Sequence, residues 1–167
     1  MKKVLFVFIG FMCIFNSVYA QDRVSSSNTS FSIGAELSLP VGVFGDLYSF
    51  GIGASGQGNF NIDNDLALTL YAGYINYSLK DIYGNGSTGY IPVLGGMEYS
   101  FSPKLFGSAQ LGLTFYSGGG GSAFTYSPGI GIRLSRSINA LLKYTAQSKN
   151  NATSGAVGIR ASYNFGN

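Results

Sequence analysis

Five charged side chains stand out because each interrupts a run of small or hydroxylated residues: Glu36, Glu98, Arg133, Lys143 and Arg160. Two carboxylates and three cations in such settings can pair with one another where water is scarce, or they can line a path for protons or ions. Acid–base or covalent catalysis is poorly served. The chain has no histidine, and its one cysteine, Cys13, lies in an apolar N-terminal run. Serine hydrolysis through an imidazole base and thiolate chemistry both need groups that the rest of the chain lacks. Glu36 and Glu98 fall in separate segments with basic neighbours, so the expectation is a protein that is not an enzyme.

Other motifs dissolve when their context is read. Gly51-Ile52-Gly53-Ala54-Ser55-Gly56 matches GxGxxG, but a dinucleotide site needs a strand before it and a helix after it. Here the glycines continue an alternating pattern. Gly118 to Gly121 lacks a following Lys-Ser/Thr and reads as a loop. Asp63 and Asp65 lack the further oxygen ligands that calcium requires. No cofactor is implied and no metal site is read from the sequence.

These groups must be positioned by elements, and the elements begin with export. Met1-Lys2-Lys3, an apolar run from Val4 to Phe15 and the small residues Val18 and Ala20 predict a signal peptide over 1–20, cut after Ala20. The run is shorter than the roughly 20 residues a spanning helix needs. Loss of Lys2 and Lys3 turns ten basic residues into eight against seven acidic ones, a net charge of +1. That excludes a strong field for nucleic acid. Residues 21–29 are polar and read as a flexible lead-in.

From residue 30 to 167 the chain is low in charge, 10% against about 25% in ordinary soluble proteins. Apolar residues alternate with small or polar ones, a period of two. The pattern predicts eight strands, about Ser30–Leu39, Gly51–Ile62, Leu66–Tyr77, Tyr90–Phe101, Leu105–Tyr116, Ala123–Leu134, Ile138–Gln147 and Ser154–Phe165. Each is long enough for a tilted crossing of a bilayer, which takes about 9–11 residues. Tight turns, such as Asp63-Asn64-Asp65 and Ser135-Arg136-Ser137, alternate with longer loops, the pattern of outer-membrane barrels. The fold class expected is all-β: an eight-stranded antiparallel up-and-down transmembrane β-barrel, with both termini on the periplasmic side.

Position within each strand sorts the apolar face into layers. Phe31, Phe60, Tyr99, Phe101, Tyr163 and Phe165 fall near the periplasmic rim, and Tyr74, Phe115, Phe124, Tyr126 and Tyr144 near the outer rim. Leu37, Leu68, Leu111, Leu142 and other aliphatics lie between, matching the two interfaces and hydrocarbon layer of a membrane. Closure would set the last strand beside the first, with Arg160 and Glu36 each five residues from the aromatics Phe165 and Phe31. A Glu36–Arg160 contact with Lys143 nearby is therefore expected, and Glu98 with Arg133 as a second group near the periplasmic end. A structural plug of ion pairs is the plainer reading of this interior; a proton or ion path is the sharper one.

The segments Leu39-Pro40-Val41-Gly42-Val43-Phe44, Tyr48-Ser49-Phe50-Gly51-Ile52-Gly53, Ile91-Pro92-Val93-Leu94-Gly95-Gly96-Met97, Pro128-Gly129-Ile130-Gly131 and Tyr163-Asn164-Phe165 carry a resemblance. Over nearly the whole mature chain it resembles the small outer-membrane β-barrel domain family of Gram-negative bacteria, of OmpX/OmpA-like size. The resemblance implies integral residence in the outer membrane, with its lipid as surroundings and its assembly machinery as a partner during insertion. That machinery reads a C-terminal aromatic; here Phe165 is followed by Gly166-Asn167. The family has no shared catalytic residues.

Three functions are then open. The leading expectation is a structural or surface-interaction protein with a plugged interior. The others are a narrow OmpW-like channel for small, apolar molecules and a soluble periplasmic lipid-binding barrel with its apolar face inward. The loops Val41–Ser49 and Ser78–Thr88 should face outward, and Phe44, Asp46, Tyr48, Asp81 and Tyr83 are the candidate contacts with an extracellular partner whose identity the sequence leaves open. Loops without a fixed partner are the simpler reading.

Overall fold

A computed structural model describes residues 29–80, 82, 86–149 and 152–165. The expected signal peptide (1–20), lead-in residues 21–28, the loop residues Asp81 and Tyr83, and Gly166-Asn167 lie outside the described residues. Thr29, expected in the lead-in, instead opens the first strand opposite Phe60.

The order is β1 (Thr29–Val41), the short helix α1 (Val43–Leu47), β2 (Tyr48–Asn61), β3 (Leu66–Leu79), β4 (Ser87–Ser100), β5 (Leu105–Tyr116), β6 (Ser122–Arg133), β7 (Ile138–Lys149) and β8 (Ala152–Phe165). Each strand pairs antiparallel with its neighbour, and β8 returns to β1 from Phe31↔Phe165 to Val41↔Gly155, so the eight strands close into a barrel. Several strands run further than the alternation predicts. Pairing continues into the outer hairpins, where Tyr48 meets Leu79 and Ser78 meets Ser87. Backbone pairing costs the chain little once the hairpin is started, whatever the side chains are.

The ladder is interrupted beside two prolines. Between β3 and β4 the paired positions skip from Ala72↔Val93 to Ile75↔Tyr90, next to Pro92. Between β6 and β7 they skip from Tyr126↔Ala146 to Gly129↔Lys143, next to Pro128. Proline has no N–H to give the ladder. At the second break the Ser127 and Thr145 hydroxyls bond each other at 3.0 Å and bridge the gap from inside.

The faces are sorted as a lipid-embedded barrel demands. Leu111 is 61% exposed and Leu68 and Leu142 are exposed with it, whereas Gln110 is 4% exposed and Gln57 and Arg160 are buried. The soluble barrel with an apolar interior is thereby overturned: this outer surface would meet water with a continuous aliphatic belt, far beyond what a soluble monomer carries. Several girdle aromatics are seated on glycines, most of them on the adjacent strand. Tyr74 covers Gly89, Tyr144 covers Gly155, Phe101 covers Gly107, and Phe31 and Phe60 flank Gly58, so closely that a Cβ at Gly89, Gly107 or Gly155 would collide with the ring. Tyr163 stacks edge-on to Phe165 at 5.0 Å and Tyr99 to Phe101 at 5.5 Å.

A cation at mid-belt must be dragged through hydrocarbon, while one at the rim reaches the headgroups. Leu111→Arg is therefore expected to lose about 2–4 kcal/mol of folding free energy in lipid vesicles, and Leu134→Arg, beside the Ser135–Ser137 turn, about 0–1 kcal/mol. Urea titration of both variants from vesicles checks this, and equal losses would contradict the depth assigned to Leu111.

Candidate functional site

The polar side chains project inward in layers, and the middle layer is ionic. Glu36 of β1 and Arg160 of β8 face each other in register, while Lys143 of β7 lies opposite Gly158 of β8. Lys143 Nζ is 3.0 Å from Glu36 Oε2, and Arg160 Nε is 3.5 Å from Glu36 Oε1. Glu36 Oε1 also accepts from Ser55 Oγ at 2.7 Å and from the Tyr71 hydroxyl at 2.9 Å. Arg160 donates from Nε to Ser55 Oγ at 2.8 Å and from Nη2 to Ser32 Oγ at 3.0 Å. Lys143 donates to the Tyr71 oxygen at 3.2 Å and sits 4.5 Å from the centre of the Tyr71 ring.

Five strands thus converge on one carboxylate that is 1% exposed. A buried charge is tolerable only when it is paired and its remaining lone pairs are filled, and Glu36 meets both conditions. Space for the two long cations comes from missing side chains. A Cβ at Gly34 would stand 2.8 Å from Arg160 Nε, and the Lys143 stem passes 3.9 Å from where a Cβ at Gly158 would stand.

On the periplasmic side the Gln110 amide donates to Gln57 Oε1 and Thr69 Oγ1, both at 3.2 Å. Below that layer Arg133 Nη2 reaches Glu98 Oε1 at 2.9 Å and Ser100 Oγ at 2.9 Å, and its guanidinium lies 4.9 Å from the centre of the Phe106 ring. Glu98, Ser100 and Arg133 form part of the wall of a vestibule of about 220 Å³ that opens between the periplasmic turns. Asn139 lines it and is buried, yet its Oδ1 has no hydrogen-bond partner among the described residues. An acceptor left in that state costs about 1–3 kcal/mol.

The outer end corrects two expectations. Phe44 and Tyr48, expected as outward loop contacts, are buried inside the mouth. Gly42 takes a positive φ of 63°, which turns the chain back over the opening into α1. Phe44 then lies 4.9 Å from Tyr48, 5.0 Å from Tyr77 and 5.8 Å from Tyr90, between ring centres. Tyr77 is anchored by its hydroxyl on Ser38 Oγ at 2.8 Å, and Tyr48 by its hydroxyl on Thr88 at 3.2 Å. The physical reason is burial. Removing an aromatic side chain from water stabilises by about 1.5–3 kcal/mol, more than a single exposed contact returns. Asp46 stays exposed, as do Val43 and Ile82.

Sequence reasoning did not find Tyr71, Ser32 and Ser55 as partners of the charges, nor Ile75, Tyr77, Tyr90 and Tyr116 as members of an interior hydrophobic cluster. The signal was present: all four sit at inward positions of β3, β4 and β5 near their outer ends, where large residues break the small-polar pattern.

A closed ring of eight tilted strands with a lipid-facing belt and a polar, ion-paired interior defines the small outer-membrane β-barrels. Solved structures of that class share this chain's fold. Ail, the attachment invasion locus protein of Yersinia pestis, crystallised with the heparin analogue sucrose octasulfate, is 16% identical with a TM-score of 0.61, covering 84% of this chain and 100% of its own. The N-terminal β-barrel domain of Pseudomonas aeruginosa OprF is 14% identical with a TM-score of 0.57, covering 83% and 98%. Neisserial surface protein A is 15% identical with a TM-score of 0.55, covering 86% and 100%. No family model matches the chain, and comparison with curated proteins gives no match.

Removing the Glu36 charge while leaving both cations in place should cost about 3–5 kcal/mol, because the two cations keep their desolvation and lose their partner. Glu36→Gln is expected to show this in urea unfolding from detergent micelles. Adding Lys143→Met to Glu36→Gln should recover part of the loss, and a double variant no more stable than Glu36→Gln would argue against direct coupling of the two groups.

Proposed function

We propose that this protein is a non-enzymatic, integral outer-membrane barrel whose interior is closed and whose role is exercised at the cell surface. The observation that carries the reading is the sequence of layers across the lumen. The Glu98–Arg133 pair, the Gln57–Gln110 amides, the Glu36–Lys143–Arg160 cluster and the Phe44 aromatic cap follow one another from the periplasmic to the outer end. A void lined by Lys143 and Tyr90 among others holds about 10 Å³, room for about one water molecule.

The same layers weigh against a narrow channel for apolar solutes. Such a solute would have to displace Phe44 and then cross the charged layer at Glu36. They also favour the ion-pair plug over an ion path, since each charged group already holds a fixed partner.

Surface interaction draws support from α1 and its surroundings. With Phe44 turned in, α1 presents Val43, Asp46 and Leu47 outward, and Lys80 N–H bonds the Leu47 carbonyl at 3.0 Å, tying the first two outer loops together. The Ail structure with a heparin analogue and the naming of the Neisserial protein as a surface protein fit a role of this kind for the fold. Outer-membrane lipid is the surrounding partner, and the outer-membrane assembly machinery the partner during insertion.

Conductance is the direct test. Purified full-length protein in planar lipid bilayers is expected to give no reproducible unitary steps. Phe44→Ala should stay silent as well, because the Glu36 layer lies beneath it. Stable single-channel steps from the wild-type protein would sink the closed-interior reading, and steps only in Phe44→Ala would reduce the closure to its aromatic cap.

A further inference from the structure

The vestibule at the periplasmic mouth has two poles. The β2–β3 turn brings Asp63 and Asp65 to its wall, and the β6–β7 turn brings Arg136. In a ring of eight strands in chain order these turns lie on opposite sides of the opening. Asp63 is spent on its own turn, where its carboxylate accepts the Asn64 N–H at 2.7 Å. Among the described residues neither Asp65 nor Arg136 forms an ion pair. Both are exposed at the rim.

Between the poles the lining is rich in carboxamides, Asn61 and Asn139 among them. A carboxamide donates and accepts at once, which is what a peptide unit requires. Asn139 lines the vestibule as well, and its buried Oδ1 is bonded to nothing among the described residues. At the outer end Ser38 is bonded to Tyr77 and Thr88 to Tyr48, beneath the aromatic cap.

We propose that the periplasmic vestibule is a binding site for a short zwitterionic peptide, its ammonium end toward Asp65, its carboxylate toward Arg136 and its amides among the asparagines. A neutral sugar would use the carboxamides and ignore the poles. A simple anion or cation would engage one pole only and leave the other unused. Only a ligand with opposite charges at its two ends uses both poles and the lining between them. The volume of about 220 Å³ holds a few residues at most. Because the rim is wet, affinity is modest, in the millimolar range that about −4 kcal/mol represents.

The probe is triglycine, titrated to about 20 mM into the isotope-labelled full chain in phosphatidylcholine nanodiscs and followed by NMR. Shifts are expected in the β2–β3 and β6–β7 turns and in the Asn139 side-chain amide, with the α1 region unmoved. Asp65→Asn and Arg136→Gln should each weaken binding about three- to fivefold, as loss of one exposed charge contact does. N-acetyl-triglycine amide, which keeps the amides and lacks both charges, should bind at least about tenfold more weakly. Both substituted positions lie in exposed turns, and heat-shifted migration on gels confirms that the variants fold. Absence of shifts at the highest concentration overturns the proposal. So does equal binding of the capped peptide, or binding indifferent to Arg136→Gln.

Discussion

Hydrocarbon offers no hydrogen bonds, and every other property of this molecule follows from that. Each N–H and C=O within the belt must find a partner in the chain itself. Strands can meet the demand only by closing on themselves, and the long β1–β8 ladder is what closes them. Where a proline withholds its N–H, the ladder breaks locally, and at Pro128 two hydroxyls span the break from within. Closure in turn encloses one face of every strand. That face is polar because the other must be apolar, so the barrel acquires an interior it has to fill with groups that resist burial.

The filling follows a division of labour along the axis. Near the periplasm the interior opens into the vestibule, and the Glu98–Arg133 pair sits at the edge of that volume. At mid-depth water is excluded, and one carboxylate gathers two cations, a tyrosine and a serine around itself. Toward the outside polar groups give way to rings, where Phe44 joins tyrosines from three strands. The order tracks the solvent. Ions need either water or a full set of donors, and rings need neither.

Much of this was legible from the sequence because a strand's period is two and a membrane has layers. The alternation assigns each side chain to a face, and the aromatics mark the depth. Counting five residues inward from Phe31 and Phe165 sets Glu36 and Arg160 at one level, and the two aromatics do pair in register. What stayed hidden depends on contacts between segments far apart in the chain. Gly34 looks like a weak strand former until the Arg160 side chain lying across it is seen. A helix of five residues leaves no periodic trace. Phe44 reads as a loop residue because its reason for turning inward is held by Tyr48, Tyr77 and Tyr90, two of them more than 30 residues further along the chain.

The rings seated on glycines carry a consequence for inheritance. Three girdle aromatics are matched to a vacancy on the next strand: Tyr74 to Gly89, Tyr144 to Gly155, Phe101 to Gly107. A branched residue arriving at Gly89 would evict the Tyr74 ring from its seat and tip it toward the acyl chains. Descendants of this chain can therefore drift freely along most of the belt, but at these couples bulk has to be traded between two sites in step. The girdle is written twice, once in rings and once in gaps, and anyone grafting it onto another barrel must copy both scripts.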